Sequence, residues 1–274
     1  PYRFNSKEKD QETGLHYYGA RYYQSKISMW LSVDPWADKY PNLSPYAFVA
    51  NNPIMLVDPD GNQIDIVGED GNTTTYTPGM KYEGNDEFTA KMVNTYNDMY
   101  NTDAGKQVVD KLVGTDNFHS VTKDAVPTNN NKNIAGYVAN KDGNGGTFYM
   151  NGETEIGVTS HESFHAYQYE MGQGGPSINN EVEAYLFQAV VESQVSLGVF
   201  SLPTANNSIP ELSQQYTDAM GSLLFEGFSQ EKFETARYFF RSQSTVNGPY
   251  KNPRSFPLYR VNQKETLIKP FLPL

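Results

Sequence analysis

Hydrophobic and polar positions follow one rhythm up to about residue 61 and another beyond it. In the first stretch, short aromatic runs such as Leu15-His16-Tyr17-Tyr18 and Ile27-Ser28-Met29-Trp30-Leu31 are broken by turn residues: Glu12-Thr13-Gly14, Asp34-Pro35, Asn51-Asn52-Pro53 and Asp58-Pro59-Asp60-Gly61. Aromatic runs bounded by Gly, Pro, Asn and Asp predict a small β-rich module over residues 1–61. Beyond it, Ile64 to Val67 and Thr73 to Tyr76 predict two strands joined by a turn at Glu69-Asp70-Gly71-Asn72. Phe88, Met92, Tyr96 and Met99 recur at helical spacing, which predicts an amphipathic helix over 86–100. Val108, Val109 and Leu112 do the same for a second over 103–113. Residues 124–146, with Asn129-Asn130-Asn131 and Asp142-Gly143-Asn144-Gly145-Gly146, read as loop and tight turn. Gly146 to Met150 reads as an edge strand, and helices are expected around 181–200, 209–227 and 229–241, before a Pro-rich irregular tail. The fold class that results is α+β: a small sheet packed on several helices, filling a domain over 62–274.

Composition narrows the function classes. The chain has 274 residues and 38% hydrophobic content, enough for a packed core. Its formal charge is −11 and it has no run of Lys or Arg, so a nucleic-acid partner is disfavoured. Cysteine is absent, which removes thiolate ligands, thiol nucleophiles and disulfides. The most apolar segment, Tyr185 to Leu202, is interrupted by Gln188, Glu192, Ser193 and Gln194, so no membrane span is expected. The first ten residues are polar and hold no signal-peptide core.

The chemistry concentrates in His161-Glu162-Ser163-Phe164-His165, which holds half of the 4 histidines. Histidines four apart on a helix share a face and can reach one ion. Glu162 then sits beside the open coordination position, where a carboxylate can take a proton from an attacking water. Phe164 and Ala166 should face the core, Thr159 or Ser160 should cap the helix, and Gly172 should stop it. Downstream, Asn180-Glu181-Val182-Glu183-Ala184 begins another helix. Asn180 as its cap would occupy Glu183 with the cap's own amide and leave Glu181 for the metal, Glu183 being the alternative. Donors for a developing oxyanion are Tyr149, Tyr167, Tyr169, Tyr185, Tyr238 and His119, each also a packing residue in its own right. Arg237 and Arg241, one turn apart, read as a solvated face.

Two resemblances add to this. Tyr18-Gly19-Ala20-Arg21-Tyr22-Tyr23, Trp30-Leu31-Ser32-Val33-Asp34-Pro35, Asn51-Asn52-Pro53 and Asp58-Pro59-Asp60-Gly61 resemble, in order, the end of the Rhs-repeat-associated core. That resemblance implies a core remnant over 1–61 followed by a polymorphic toxin domain, a secreted effector delivered to neighbouring cells, with a possible immunity protein as partner. Self-cleaving members carry Leu after the final Gly, where this chain has Asn62, so cleavage there is not expected. Residues 161–165 and 181–184 resemble the zincin-like peptidases with a downstream Glu ligand. This second resemblance implies Zn2+ held by His161, His165 and Glu181, with Glu162 as the catalytic base. The expectation is a zinc metalloendopeptidase acting on a protein or peptide substrate of the target cell. The alternatives are an amidase or peptidase of peptidoglycan stem peptides, a nuclease toxin, or an inactive binding module.

Overall fold

The computed structural model describes residues 8–9, 13–17, 22–27, 29–32, 44, 63–115, 117–127, 135–141, 145–196, 210–243, 257–258 and 266–273. The chain divides into two compact units, Pro1–Asn62 and Gln63–Leu274. The Asp58 to Gly61 motif and the Gly61–Asn62 step lie outside the described residues.

The first unit contains an antiparallel meander of short strands, β1 (Glu8–Lys9), β2 (His16–Tyr17), β3 (Tyr22–Gln24) and β4 (Met29–Trp30), in that spatial order. Tyr23 lies opposite Trp30 in register, and the two buried rings meet edge to face at 5.7 Å between centroids. A cross-strand aromatic pair of this kind is what sets register in so short a sheet.

The second unit is α+β. Its five-stranded sheet has the order β6-β5-β7-β9-β8 and combines β5 (Gln63–Val67), β6 (Thr73–Tyr76), β7 (Phe118–Thr122), β8 (Gly136–Ala139) and β9 (Gly146–Tyr149). The central pairs β5/β7 and β7/β9 are parallel, and both outer strands join antiparallel. The parallel step from β5 to β7 is spanned by α1 (Glu87–Tyr100) and α2 (Asp103–Val113), as a parallel pair requires a long crossover. Both helices are capped at their starts: Asp86 accepts from Thr89 N, and Thr102 from Gly105 N. Their apolar stripes, from Phe88 to Met99 and from Ala104 to Leu112, are buried against Ile64, Ile66, Val121 and Phe148 of the sheet.

Four helices follow: α3 (Ile156–Glu170), α4 (Ile178–Val195), α5 (Pro210–Glu226) and α6 (Gln230–Gln243). α3 packs against α4, α2, α1 and β8, which encloses it on nearly every side. Gly157 faces α4, where the side-chain ends of Glu192 and Gln188 lie against it. The C-terminal segment, with a 3-10 turn at Lys269–Phe271, is part of the core: Leu267, Ile268, Phe271 and Leu272 are buried, and Phe271 packs edge-on against Phe164 and Phe187.

Two expectations about the sheet are corrected. The strand leading into the motif helix, β9, lies between β7 and β8, so the edge is not there. The edge on that side of the sheet is β8, inside the stretch read as loop. Its Gly136-Tyr137-Val138-Ala139 is a four-residue run whose pairing with β9 and packing against α3 outweigh the turn residues on either side.

Candidate functional site

The motif helix starts earlier than its cap signals indicate. Glu155 holds the N-cap position without a side-chain hydrogen bond, and Thr159 and Ser160 lie inside α3, buried. Ser160 donates instead to Gly157 O at 3.0 Å, the back-bond open to a hydroxyl within a helix. Gly172, at φ 72°, turns the chain after the last turn, so α4 can fold back beside α3. α4 also starts earlier than expected. Ser177 is its cap, accepting from Asn180 N at 3.1 Å. Asn180 lies within the helix and donates through Nδ2 to Gln173 O and Gly175 O, pinning the connector.

These two helices bring His161, His165 and Glu181 together, with one ligand atom of each inside a sphere of mutual distances no greater than 4.8 Å. His161 Nε2 and His165 Nε2 are 3.2 Å apart, and each stands 3.8 Å from a Glu181 carboxylate oxygen. The side chains are 10%, 17% and 13% exposed, so the cluster is recessed yet open to solvent at one side. Tetrahedral zinc has bonds of about 2.0–2.1 Å to nitrogen and 2.0–2.2 Å to oxygen, which would set donor separations of roughly 3.3–3.5 Å. The observed spacings bracket that range closely enough for a cation to seat with small side-chain adjustment. The donor set, two imidazoles and one carboxylate, is also the set zinc takes in hydrolytic sites with an open position.

Burial opposes charge on His161, but the hydrogen-bonding and field of Glu181, together with Glu162, outweigh it and raise its pKa. A positive charge is therefore welcome among these carboxylates. The His161 ring also rests on Tyr185, with centroids 4.3 Å apart. His165 is held differently: its Nδ1 is 2.9 Å from Gln168 Oε1. Glu162, buried, accepts a hydrogen bond of 2.7 Å from the backbone N–H of Tyr137 on β8. The edge strand thus orients the carboxylate beside the histidine pair. Sequence reasoning missed Tyr137, and the aromatic within a short apolar run was the signal that could have found it.

Glu183 does not serve the helix start. It is fully buried, accepts from Gln168 Nε2 at 3.0 Å and from Leu267 N at 3.0 Å, and burial pushes its carboxyl up to about 7 against those hydrogen bonds. Only one of the two carboxylates faces the histidines, because residues two apart on a helix point in different directions. His119 is buried on β7, its Nε2 3.2 Å from Glu170 Oε1 and its Nδ1 3.4 Å from Tyr137 Oη. Thr115 and Asn117 also donate to Glu170, so this cluster joins α3 to the sheet. Of the tyrosines named as donors, Tyr185 alone has a described contact with the histidine pair. Tyr238 is 66% exposed and Tyr167 packs on Phe164 and Phe271. Arg237 is corrected outright: it is 1% exposed, donates to Asn179 Oδ1 at 3.2 Å and lies over the Phe233 ring.

No protein-family profile matches the chain, and no solved structure matches it. Similarity to known proteins is confined to short stretches. Over 59 residues, 22% of this chain, the sequence is 52% identical to toxin subunit YenC2 of Yersinia entomophaga. Over 69 residues, 24% of this chain, it is 41% identical to the tRNA nuclease WapA of Bacillus subtilis (strain 168). A third relative, salivary gland surface protein 1 of Aedes aegypti, is 40% identical over 60 residues. The matches span 6%, 3% and 2% of those relatives' own lengths, and each leaves about three quarters of this chain unmatched. The chain is a partial relative of toxins. The WapA proteins carry an enzymatic activity in their names, and it is cleavage of tRNA. That overturns the reading as a zinc metalloendopeptidase acting on peptide bonds, since none of these relatives is named a peptidase.

Proposed function

We propose that residues 63–274 form a metal-dependent hydrolase, the toxic part of an Rhs-type secreted protein. The observation that carries the reading is the convergence of His161, His165 and Glu181 from two helices onto one small volume, with Glu162 buried next to them. The name of the relative YenC2, a toxin subunit, supports the biological role. Because their similarity leaves most of this chain unmatched, the scissile bond is assigned by experiment, with tRNA as the first substrate.

Zn2+ is the cation this donor set suits, and when bound it supplies a Lewis acid and lowers the pKa of water. The protein's own groups divide the remaining work. His161 and His165 present imidazole nitrogens from one face of α3, and Glu181 adds a carboxylate from α4. Glu162, its carboxylate held by the Tyr137 N–H, is placed to accept a proton from an attacking water and to return it to the leaving group. No helix of the described residues is long and apolar enough to cross a membrane. A possible immunity protein would act by covering the open side of the cluster.

The deciding test compares the wild type with Glu162→Gln, expressed in a sensitive bacterium and assayed on total tRNA with zinc added. Gln preserves shape and removes the proton acceptor. Toxicity and hydrolysis should both fall, the latter by about a hundred- to ten-thousand-fold. Equal toxicity of the two proteins would reject the reading. Toxicity that depends on Glu162 with tRNA left intact would keep the hydrolase and exclude tRNA as its substrate.

A further inference from the structure

Gln168 follows His165 by three residues, on the same face of α3, and is completely buried. Its side-chain NH2 meets two acceptors, Asn180 O at 3.1 Å and Glu183 Oε2 at 3.0 Å. With both amide hydrogens directed that way, Oε1 is left facing His165 Nδ1 at 2.9 Å, and an amide oxygen can only accept. Nδ1 of His165 therefore carries the ring proton, and the lone pair of Nε2 points at His161 and Glu181. Glu183 is itself fixed by the backbone N–H of Leu267, 3.0 Å from Oε1. A continuous chain of hydrogen bonds thus runs from the C-terminal segment through α4 to one imidazole of the cluster. His161 has no such support: its Nδ1 is buried without a hydrogen-bond partner among the described residues, and its ring is held by packing on Tyr185.

We propose that Gln168 is a positioning residue for the cation site, selecting the tautomer and ring orientation of His165 and anchoring it through Glu183 to the C-terminal segment. The inference rests on the metal site proposed above and assigns the two histidines unequal roles. His165 is the preorganised ligand, and His161 adjusts against Tyr185 when the cation enters. A side chain that only filled space at this position would leave both the tautomer and the metal affinity unchanged on isosteric replacement.

The test uses the full chain and zinc alone. Zinc affinity is measured by competition with a chromophoric chelator for the wild type, Gln168→Leu, Gln168→Glu, and Gln168→Glu combined with Glu183→Gln. Nitrogen-15 NMR of the metal-free protein at pH 8 reads the His165 tautomer. Gln168→Leu should weaken zinc binding by about 10- to 100-fold, the usual effect of removing a hydrogen-bond partner from a metal-bound histidine. It should also release His165 into a mixture of tautomers. Gln168→Glu alone sets two buried carboxylates against each other; adding Glu183→Gln restores the donor between them but leaves a carboxylate oxygen facing Asn180 O, so the pair should regain part of the zinc affinity. Wild-type affinity in Gln168→Leu, or a swapped pair that folds and binds no better than Gln168→Glu alone, would overturn the proposal. The wild-type tautomer needs no variant, so it decides the matter even where a substitution prevents folding: a proton on Nε2 of His165 would overturn the role of Gln168. A wild type that takes up no zinc would overturn the metal site, whereas a zinc-binding wild type with an indifferent Gln168 would leave that site standing.

Discussion

Two helices of the second unit, nearly equal in length, are buried for opposite reasons. α1 hides Phe88, Met92, Val93, Tyr96 and Met99, so its burial removes apolar surface from water and stabilises the fold directly. α3 hides Ser160, His161, Glu162, Ser163 and Gln168 beside Phe164 and Ala166. Polar groups cost free energy to bury unless hydrogen-bonded, so that face of α3 contributes little to stability. Its place is secured by neighbours instead: Phe164 stacks on Phe187 at 4.7 Å, and Phe271 closes over both. One helix builds the core, and the other is carried by the core so that its polar face can hold the site.

Substitutions can break that contrast. Phe164→Ala removes the side chain on which α3 rests and should cost about 3–5 kcal/mol in urea unfolding, with zinc uptake lost as the helix loosens. Met92→Ala, on α1, should cost about 2–5 kcal/mol yet leave zinc affinity intact wherever the protein remains folded. Retained affinity in the first or lost affinity in the second would show that the two helices are not separate in function.

Acid should act on α3 through Glu170. In the folded state burial raises the Glu170 carboxyl, but contact with His119 and hydrogen bonds from Thr115 and Asn117 outweigh it and hold the group down to about 2. A depressed carboxylate contributes stability that is complete above its unfolded value near 4.5 and is lost as the pH falls towards about 2. A shift of this size corresponds to at most about 3 kcal/mol. Glu170→Gln should therefore flatten the decline in stability between pH 4.5 and 2, measured by urea unfolding at successive pH values. An unchanged slope would remove Glu170 from the account. Asp86→Ala, at the start of α1, should have the smallest effect, about 1–2 kcal/mol, because the lost cap at Thr89 N is accompanied by a lost acceptor for Glu69 N. A neutral result would show that water replaces both bonds.

The same contrast explains what could be read from the sequence. The stripes of α1 and α2 follow the helical period, and their positions in the structure match it closely. The histidine pair was legible for a similar reason: a spacing of four on any helix puts both rings on one face. The placement of Glu181 beside them emerged from a resemblance and from a capping argument whose premises were wrong, since Ser177 caps α4 and Glu183 is buried under Leu267. No local pattern announces a carboxylate buried by a segment more than eighty residues away. Arg237 was illegible in the same way, because its burial depends on Asn179, 58 residues earlier, being brought beside it. β8 was lost among turn residues, as its four positions acquire strand geometry from β9. The bond class was misread because a motif for activating water says little about what the water attacks.

The central claim is that His161, His165 and Glu181 hold one cation. It is tested most directly by counting zinc per chain after metal-replete expression and dialysis, for the wild type, Glu181→Ala and Glu183→Ala. The account predicts about one zinc in the wild type and strongly reduced occupancy in Glu181→Ala. In Glu183→Ala, occupancy should be intermediate, because the loss acts through Gln168 and the packing beneath it. Negligible zinc in the wild type, or full occupancy in Glu181→Ala, would contradict it.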